Sequence, residues 1–136
     1  MPKPDKALIY AMIAAAHDAR ERAYAPYSKF KVGAAVLGAS GRVYTGCNVE
    51  NASYGLTVCA ERTAIVRAVS EGETSVSAVI VVAGERKPSP PCGACLQVIS
   101  EFSSVDDPAT IVICSADGSF EIGTLAEYLP APFRVG

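Results

Sequence analysis

Ala78-Val79-Ile80-Val81-Val82-Ala83 is an unbroken apolar run near the middle of the chain. A run this short with no polar member reads as a β-strand covered on both faces. What flanks it decides the fold. Upstream, residues 59–70 place Ala60, Ala64, Ile65, Ala68 and Val69 at helical spacing, which gives one apolar stripe. Downstream, a Pro-rich loop over 84–91 leads into a second helix over 92–102, with Pro91 well placed to open it. Ile111-Val112-Ile113-Cys114 then repeats the buried-strand pattern. Apolar strands alternating with amphipathic helices predict an α/β fold.

The rest of the chain extends that reading. Residues 5–23 predict a helix from the spacing of their Ala, Leu, Ile and Met, with Pro26 as the stop. Residues 30–37 and 43–49 predict two strands joined by a turn at Ser40-Gly41, an antiparallel hairpin. Residues 51–58 read as a loop. Beyond Cys114, Asp117-Gly118 reads as a turn, 120–122 as a strand and 124–128 as a short helix. The order α-β-β-α-β-α-β-β-α predicts a three-layer α/β/α sandwich on a central, mixed, five-stranded sheet. Residues 1–136 are expected to form a single domain.

Composition narrows the function classes. Half of the 136 residues are hydrophobic, as in ordinary globular proteins. The formal charge is −2 and the cations are scattered, which argues against a nucleic-acid partner and for a small molecule. The apolar runs are too short to span a bilayer, and Met1-Pro2-Lys3-Pro4-Asp5 lacks a signal-peptide core. Five cysteines is an odd count, which fits reduced thiols in a cytoplasm better than a disulfide scaffold.

The chemistry gathers at the starts of the two central helices, in Cys59-Ala60-Glu61 and Pro91-Cys92-Gly93-Ala94-Cys95. Cys92 and Cys95 are three apart at a helix start, so both thiols fall on one side and can share a metal ion. Cys59 at a helix N-terminus is only half in the helix, so Glu61 can face the same way. Three thiolates leave the fourth position of a zinc ion open to water, which marks catalytic rather than structural zinc. Glu61 is then placed to move protons on and off that water. Three thiolates over-neutralise Zn²⁺, and the positive ends of two helix dipoles, with Arg62, would offset that charge. Alone, Cys92-Gly93-Ala94-Cys95 reads equally well as a redox dithiol, but that leaves Cys59-Ala60-Glu61 without a role. A closed structural zinc site needs a fourth ligand. His17 reads as a surface residue, and Cys47 and Cys114 read as core thiols in strands.

Cys-x-Glu followed by Pro-Cys-x-x-Cys is the signature of zinc nucleobase deaminases. The chain resembles the cytidine deaminases of the small, three-cysteine, homotetrameric class over nearly its whole length. The resemblance runs through residues 24–35, from Tyr24-Ala25-Pro26-Tyr27-Ser28 to Gly33-Ala34-Ala35, then Asn48-Val49-Glu50-Asn51-Ala52-Ser53-Tyr54-Gly55. It continues in Cys59-Ala60-Glu61-Arg62-Thr63-Ala64-Ile65 and Pro91-Cys92-Gly93-Ala94-Cys95, and ends in Leu129-Pro130-Ala131-Pro132-Phe133. One departure stands out: Leu96 occupies the place where most relatives carry Arg.

The resemblance implies hydrolytic deamination of cytidine and 2′-deoxycytidine to the uridines, with release of ammonia, in pyrimidine salvage. It implies one zinc per chain on Cys59, Cys92 and Cys95, with Glu61 as the proton-moving group. It places Asn48 and Glu50 on the ribose hydroxyls, Phe30 against the pyrimidine and Ala60 at the substrate. Tyr54 and Phe133 are expected to line a neighbouring subunit's site in a homotetramer. The rivals are deamination of another aminopyrimidine nucleoside such as blasticidin S, a Cys-x-x-Cys redox protein, and a zinc-stapled domain without catalysis.

Overall fold

The computed structural model describes residues 3–135. In chain order the elements are α1 (Lys6–Arg20), β1 (Gly33–Gly38), β2 (Val43–Cys47), a 3-10 turn (Tyr54–Leu56) and α2 (Ala60–Ser70). They continue with β3 (Val76–Val82), α3 (Gly93–Phe102), β4 (Thr110–Cys114), β5 (Phe120–Thr124) and α4 (Leu125–Tyr128).

The apolar run lies at the centre of the molecule. β3 is buried at every position and occupies the middle of a five-stranded sheet in the order β2-β1-β3-β4-β5. β3 and β4 pair in parallel, and the other neighbours are antiparallel. A parallel pair needs a crossover, and α3 lies in it. The sheet is therefore mixed, as the alternation of strands and helices predicts.

Period-two alternation divides β3 between two cores. Ala78, Ile80 and Val82 face Ile9, Met12 and Ala16 of α1. Val79 and Val81 face the other way, onto Ala64, Ile65 and Ala68 of α2 and Leu96 and Ile99 of α3. Leu96 is thus an ordinary member of the α2–α3 core, only 7% exposed. These three layers form the expected α/β/α sandwich.

Two glycines set how closely the helices approach. A Cβ on Gly33 would lie 2.0 Å from the Ala16 carbonyl oxygen of α1. One on Gly46 would lie 2.5 Å from the Ala64 nitrogen of α2. Gly46 therefore lets α2 seat directly on β2, which fixes the helix whose first residues carry Cys59 and Glu61.

The element boundaries differ from the sequence reading in informative ways. α1 ends at Arg20, before the stop expected from Pro26, because residues 21–23 fold into turns whose amides bond back to α1 carbonyls. Helices α2 and α3 begin one residue after their first cysteines, which are N-caps. Residues 30–32 are not strand, since the Asn48 side chain takes the place of a ladder partner there: Oδ1 accepts from Val32 N at 2.8 Å and Nδ2 donates to Phe30 O at 2.9 Å. β2 stops at Cys47, and Val49 makes isolated bridges with Tyr24 and Val58 instead. β3 starts two residues before the run that revealed it.

Candidate active site

At one end of the sheet β1 begins while β2 and β3 finish, with Gly33 paired to Cys47 on one side and Val82 on the other. Chain segments 28–32, 48–50 and 83–91 therefore leave the sheet together, beside the N-termini of α2 and α3. They enclose a cavity of about 260 Å³ with Cys59, Ala60 and Glu61 in its lining. Phe30, Asn48 and Glu50 line the same cavity, closed in by Ser89 and Pro90 of the loop after β3.

The three thiols of Cys59, Cys92 and Cys95 lie within 4.8 Å of one another. The Cys92 and Cys95 sulfurs are 3.4 Å apart. Zinc–sulfur bonds of about 2.3 Å in tetrahedral array put ligand sulfurs roughly 3.8 Å apart, so these three residues fit one zinc ion. No histidine or carboxylate joins the cluster among the described residues. His17 lies on α1, and Cys114 is a buried core thiol whose pKa burial pushes up to about 11. Cys47 is half-buried in β2.

The electrostatics favour a thiolate even without metal. Cys59 is drawn down to about 5, chiefly by a hydrogen bond from the Cys95 thiol, with Arg62 adding to the effect and burial opposing it. The same contact, followed by burial, pushes Cys95 upward. Arg62 Nη2 lies 3.4 Å from Cys59 Sγ and also reaches the Thr57 carbonyl at 3.4 Å. Its guanidinium thus sits against the cluster rather than in solvent, a placement that its position in the sequence alone did not decide.

Glu61 is 4% exposed. Burial raises its carboxyl to about 7, the Cys59 charge adds to the rise, and Arg62 opposes it. A carboxyl poised near neutrality can both accept and give up a proton at working pH. Its position in the first turn of α2 beside Cys59 follows from the N-cap geometry, since the cap residue is extended (φ −72, ψ 155) while Glu61 is already helical.

Glu50 is fixed by its surroundings. Oε1 accepts from the Tyr27 and Ser28 amides at 3.0 and 3.1 Å, and Oε2 accepts the Ser28 hydroxyl. The Ser28 hydroxyl is the largest influence holding this carboxylate below its ordinary pKa. These bonds shape the turn that leads into Phe30, where Lys29 is left-handed (φ 62). Phe30 is half-exposed and turned to the cavity, outside the strand that the sequence pattern begins at this residue. Ser28 is a site residue that the sequence reading missed. Its bond to Glu50 spans 22 residues and leaves no local signal in the sequence.

Tyr54 and Phe133 do not reach this cavity in their own chain. Tyr54 is 78% exposed, packs edge-on to Tyr27 and lines a separate hollow beside Glu50. Phe133 is 74% exposed on the α3 side, where its carbonyl accepts from Gln97 Nε2 at 2.9 Å.

Three thiols that fit one zinc ion, a buried acid beside them and an adjoining cavity of small-molecule size together supply what metal-assisted hydrolysis of a small molecule needs. The family model described as the cytidine and deoxycytidylate deaminase zinc-binding region matches residues 7–112, and the chain belongs to that family. It is 49% identical over 122 residues to a cytidine deaminase of Sporosarcina psychrophila, covering 90% of this chain and 88% of that one. It is also 49% identical over 122 residues to a cytidine deaminase of Halalkalibacterium halodurans, covering 90% and 91%. The crystal structure of a cytidine deaminase from Burkholderia pseudomallei superposes with a TM-score of 0.85 at 45% identity, over 91% of this chain and 98% of that one.

Proposed function

We propose that this enzyme deaminates cytidine and 2′-deoxycytidine by hydrolysis, giving uridine and 2′-deoxyuridine with release of ammonia. The observation that carries the reading is Glu61, buried beside the Cys59–Cys92–Cys95 cluster and facing the same cavity as Phe30, Asn48 and Glu50. One zinc ion held by the three cysteines supplies the Lewis acidity that makes water nucleophilic near neutral pH.

The chain's own residues do the rest. Glu61 takes a proton from the attacking water and delivers it to N3 of the pyrimidine, which makes C4 electrophilic. It then passes the second proton to the amine leaving C4, so that cytidine and water give uridine and ammonia. General acid–base help of this kind contributes roughly 10²–10⁴-fold. Phe30 and Ala60 pack against the base. The cavity edge of Asn48 and Glu50 receives the ribose hydroxyls, and Glu50 is held ionised for that by Ser28. Arg62 draws charge from the Cys59 thiolate and keeps the three-sulfur site from quenching the metal's acidity.

Residues 1–136 act as a single catalytic domain in this reading. Tyr54 and Phe133, exposed in one chain, complete the site of a neighbouring subunit in a homotetramer. All five cysteines are free, and three must stay reduced to hold zinc, which supports a cytoplasmic enzyme. Among the described residues no helix is long and apolar enough to cross a membrane.

The test is the ultraviolet absorbance of cytidine with zinc-loaded protein and a chelator-treated control. A fall with matching ammonia release, absent from the control, is the expected result. No change with zinc demonstrably bound would overturn the substrate assignment, and blasticidin S would be the next aminopyrimidine nucleoside to try.

A further inference from the structure

Residues 30–32 have left the sheet ladder, so their backbone groups need other partners. Asn48 satisfies two of them, Phe30 O and Val32 N. The carbonyl between, on Lys31, is taken from the opposite side by Arg20, whose Nε donates to it at 3.0 Å. The same guanidinium donates through Nη2 to Glu85 Oε1 at 2.9 Å. Glu85 opens the loop that carries Ser89 and Pro90 into the cavity lining, while Phe30 and Val32 line it on either side of Lys31.

Arg20 is well built for a fixed bridge. It is the last residue of α1, and its side chain is only 18% exposed. A Cβ on Gly33 would lie 2.6 Å from the Arg20 nitrogen, so the end of α1 is pressed onto the start of β1. The base of the Glu85 loop is held from below as well, since Gly84 O accepts from Ala116 N at 2.8 Å and Glu85 O from Asp117 N at 3.2 Å. The arginine adds the lateral tie between two walls that are far apart in sequence.

We propose that Arg20, with Glu85 as its counter-charge, is a positioning residue that fastens the Phe30–Val32 wall to the loop after β3 and so sets how tightly the cavity holds its nucleoside. The proposal rests on the deaminase reading for the identity of that nucleoside. Arg20 touches no reacting atom, so its loss acts on binding and leaves proton transfer by Glu61 in place.

Arg20→Ala is expected to raise KM for cytidine by at least roughly tenfold while kcat stays within about threefold, the pattern of lost uniform binding. Hydrogen exchange should quicken in both 30–32 and 84–91. Arg20→Lys should recover part of the KM, because an ammonium reaches one partner but lacks the two-pronged fork. A fall in kcat with KM unchanged, or wild-type exchange in both segments, overturns the proposal.

If Arg20→Ala does not fold, Glu85→Gln decides the matter, since Glu85 is 79% exposed and can change without disturbing the core. It should raise KM by roughly threefold, the scale of an exposed ion pair. Added salt should lift the wild-type KM toward that of Glu85→Gln and leave the variant's unmoved. A wild-type KM that shifts no more with salt than the variant's contradicts the tie. Should wild-type protein fail to deaminate cytidine, the functional reading falls, while hydrogen exchange, which needs no substrate, still decides whether Arg20 joins the two walls.

Discussion

Helix α1 and the pair α2 and α3 begin in opposite ways. Asp5 caps α1 with its carboxylate, accepting from Leu8 N at 2.8 Å. Cys59, the N-cap of α2, makes no side-chain cap bond, and the sulfur of Cys92, the N-cap of α3, accepts weakly from Cys95 N at 3.4 Å. Ser, Thr, Asp and Asn are the strong caps, and a poor one costs about 1 kcal/mol. The α1 start is built for stability. The α2 and α3 starts forgo that stabilisation and aim their dipoles at a cluster of sulfurs, where positive potential favours thiolates. Both meet at the three-sulfur cluster, whereas α1 packs on the far face of the sheet and contributes no residue to that cluster.

The contrast can be broken at several points. Cys59→Ala should have the largest effect, loss of bound zinc and of deamination together, read by metal analysis and turnover. A zinc-replete, active variant would refute the ligand assignment. Next, Phe133→Ala is expected to raise KM by roughly tenfold through the neighbouring subunit's site, an effect on the scale of a lost aromatic contact. An unchanged KM would remove Phe133 from any site.

Asp5→Ala addresses the other side of the comparison. It should cost about 1 kcal/mol, which is about 4 °C in Tm for a chain of this size, and leave kcat and KM alone. A change in KM would mean that the two helix starts are not separable in function.

The smallest effect is at Asp117, which takes hydrogen bonds from the Ser115 hydroxyl and from the Ser119 hydroxyl and amide. These bonds lower its pKa from 3.8 to about 2. The folded value lies below the unfolded one, so this stabilisation is present above about pH 4 and is lost as pH falls toward 2. Melting curves across that window should show a steeper decline for wild type than for Asp117→Asn. Parallel curves would show that the turn draws no stability from the charge.

What was legible in the sequence follows from range. The helix stripe of Ala60, Ala64, Ile65 and Ala68 and the apolar run at Ala78–Ala83 are local patterns, and both elements form where those patterns lie. The metal cluster was equally legible, because three sulfurs at two helix starts leave few arrangements open. The departure of residues 30–32 from β1 was not, since it depends on an amide 16 to 18 residues away at Asn48. Glu50 bonding across 22 and 23 residues to Ser28 and Tyr27, and Arg20 reaching 65 residues to Glu85, are likewise invisible to periodicity. Tyr54 and Phe133 show no local reason for their exposure in one chain, and resemblance alone gave them a role.

The central claim is that Glu61 moves the protons at a zinc site that other residues hold. Turnover and zinc content measured together on Glu61→Gln test it most directly. The account predicts a full zinc complement and a kcat lower by about 10²-fold or more. Near wild-type turnover with zinc bound would contradict it.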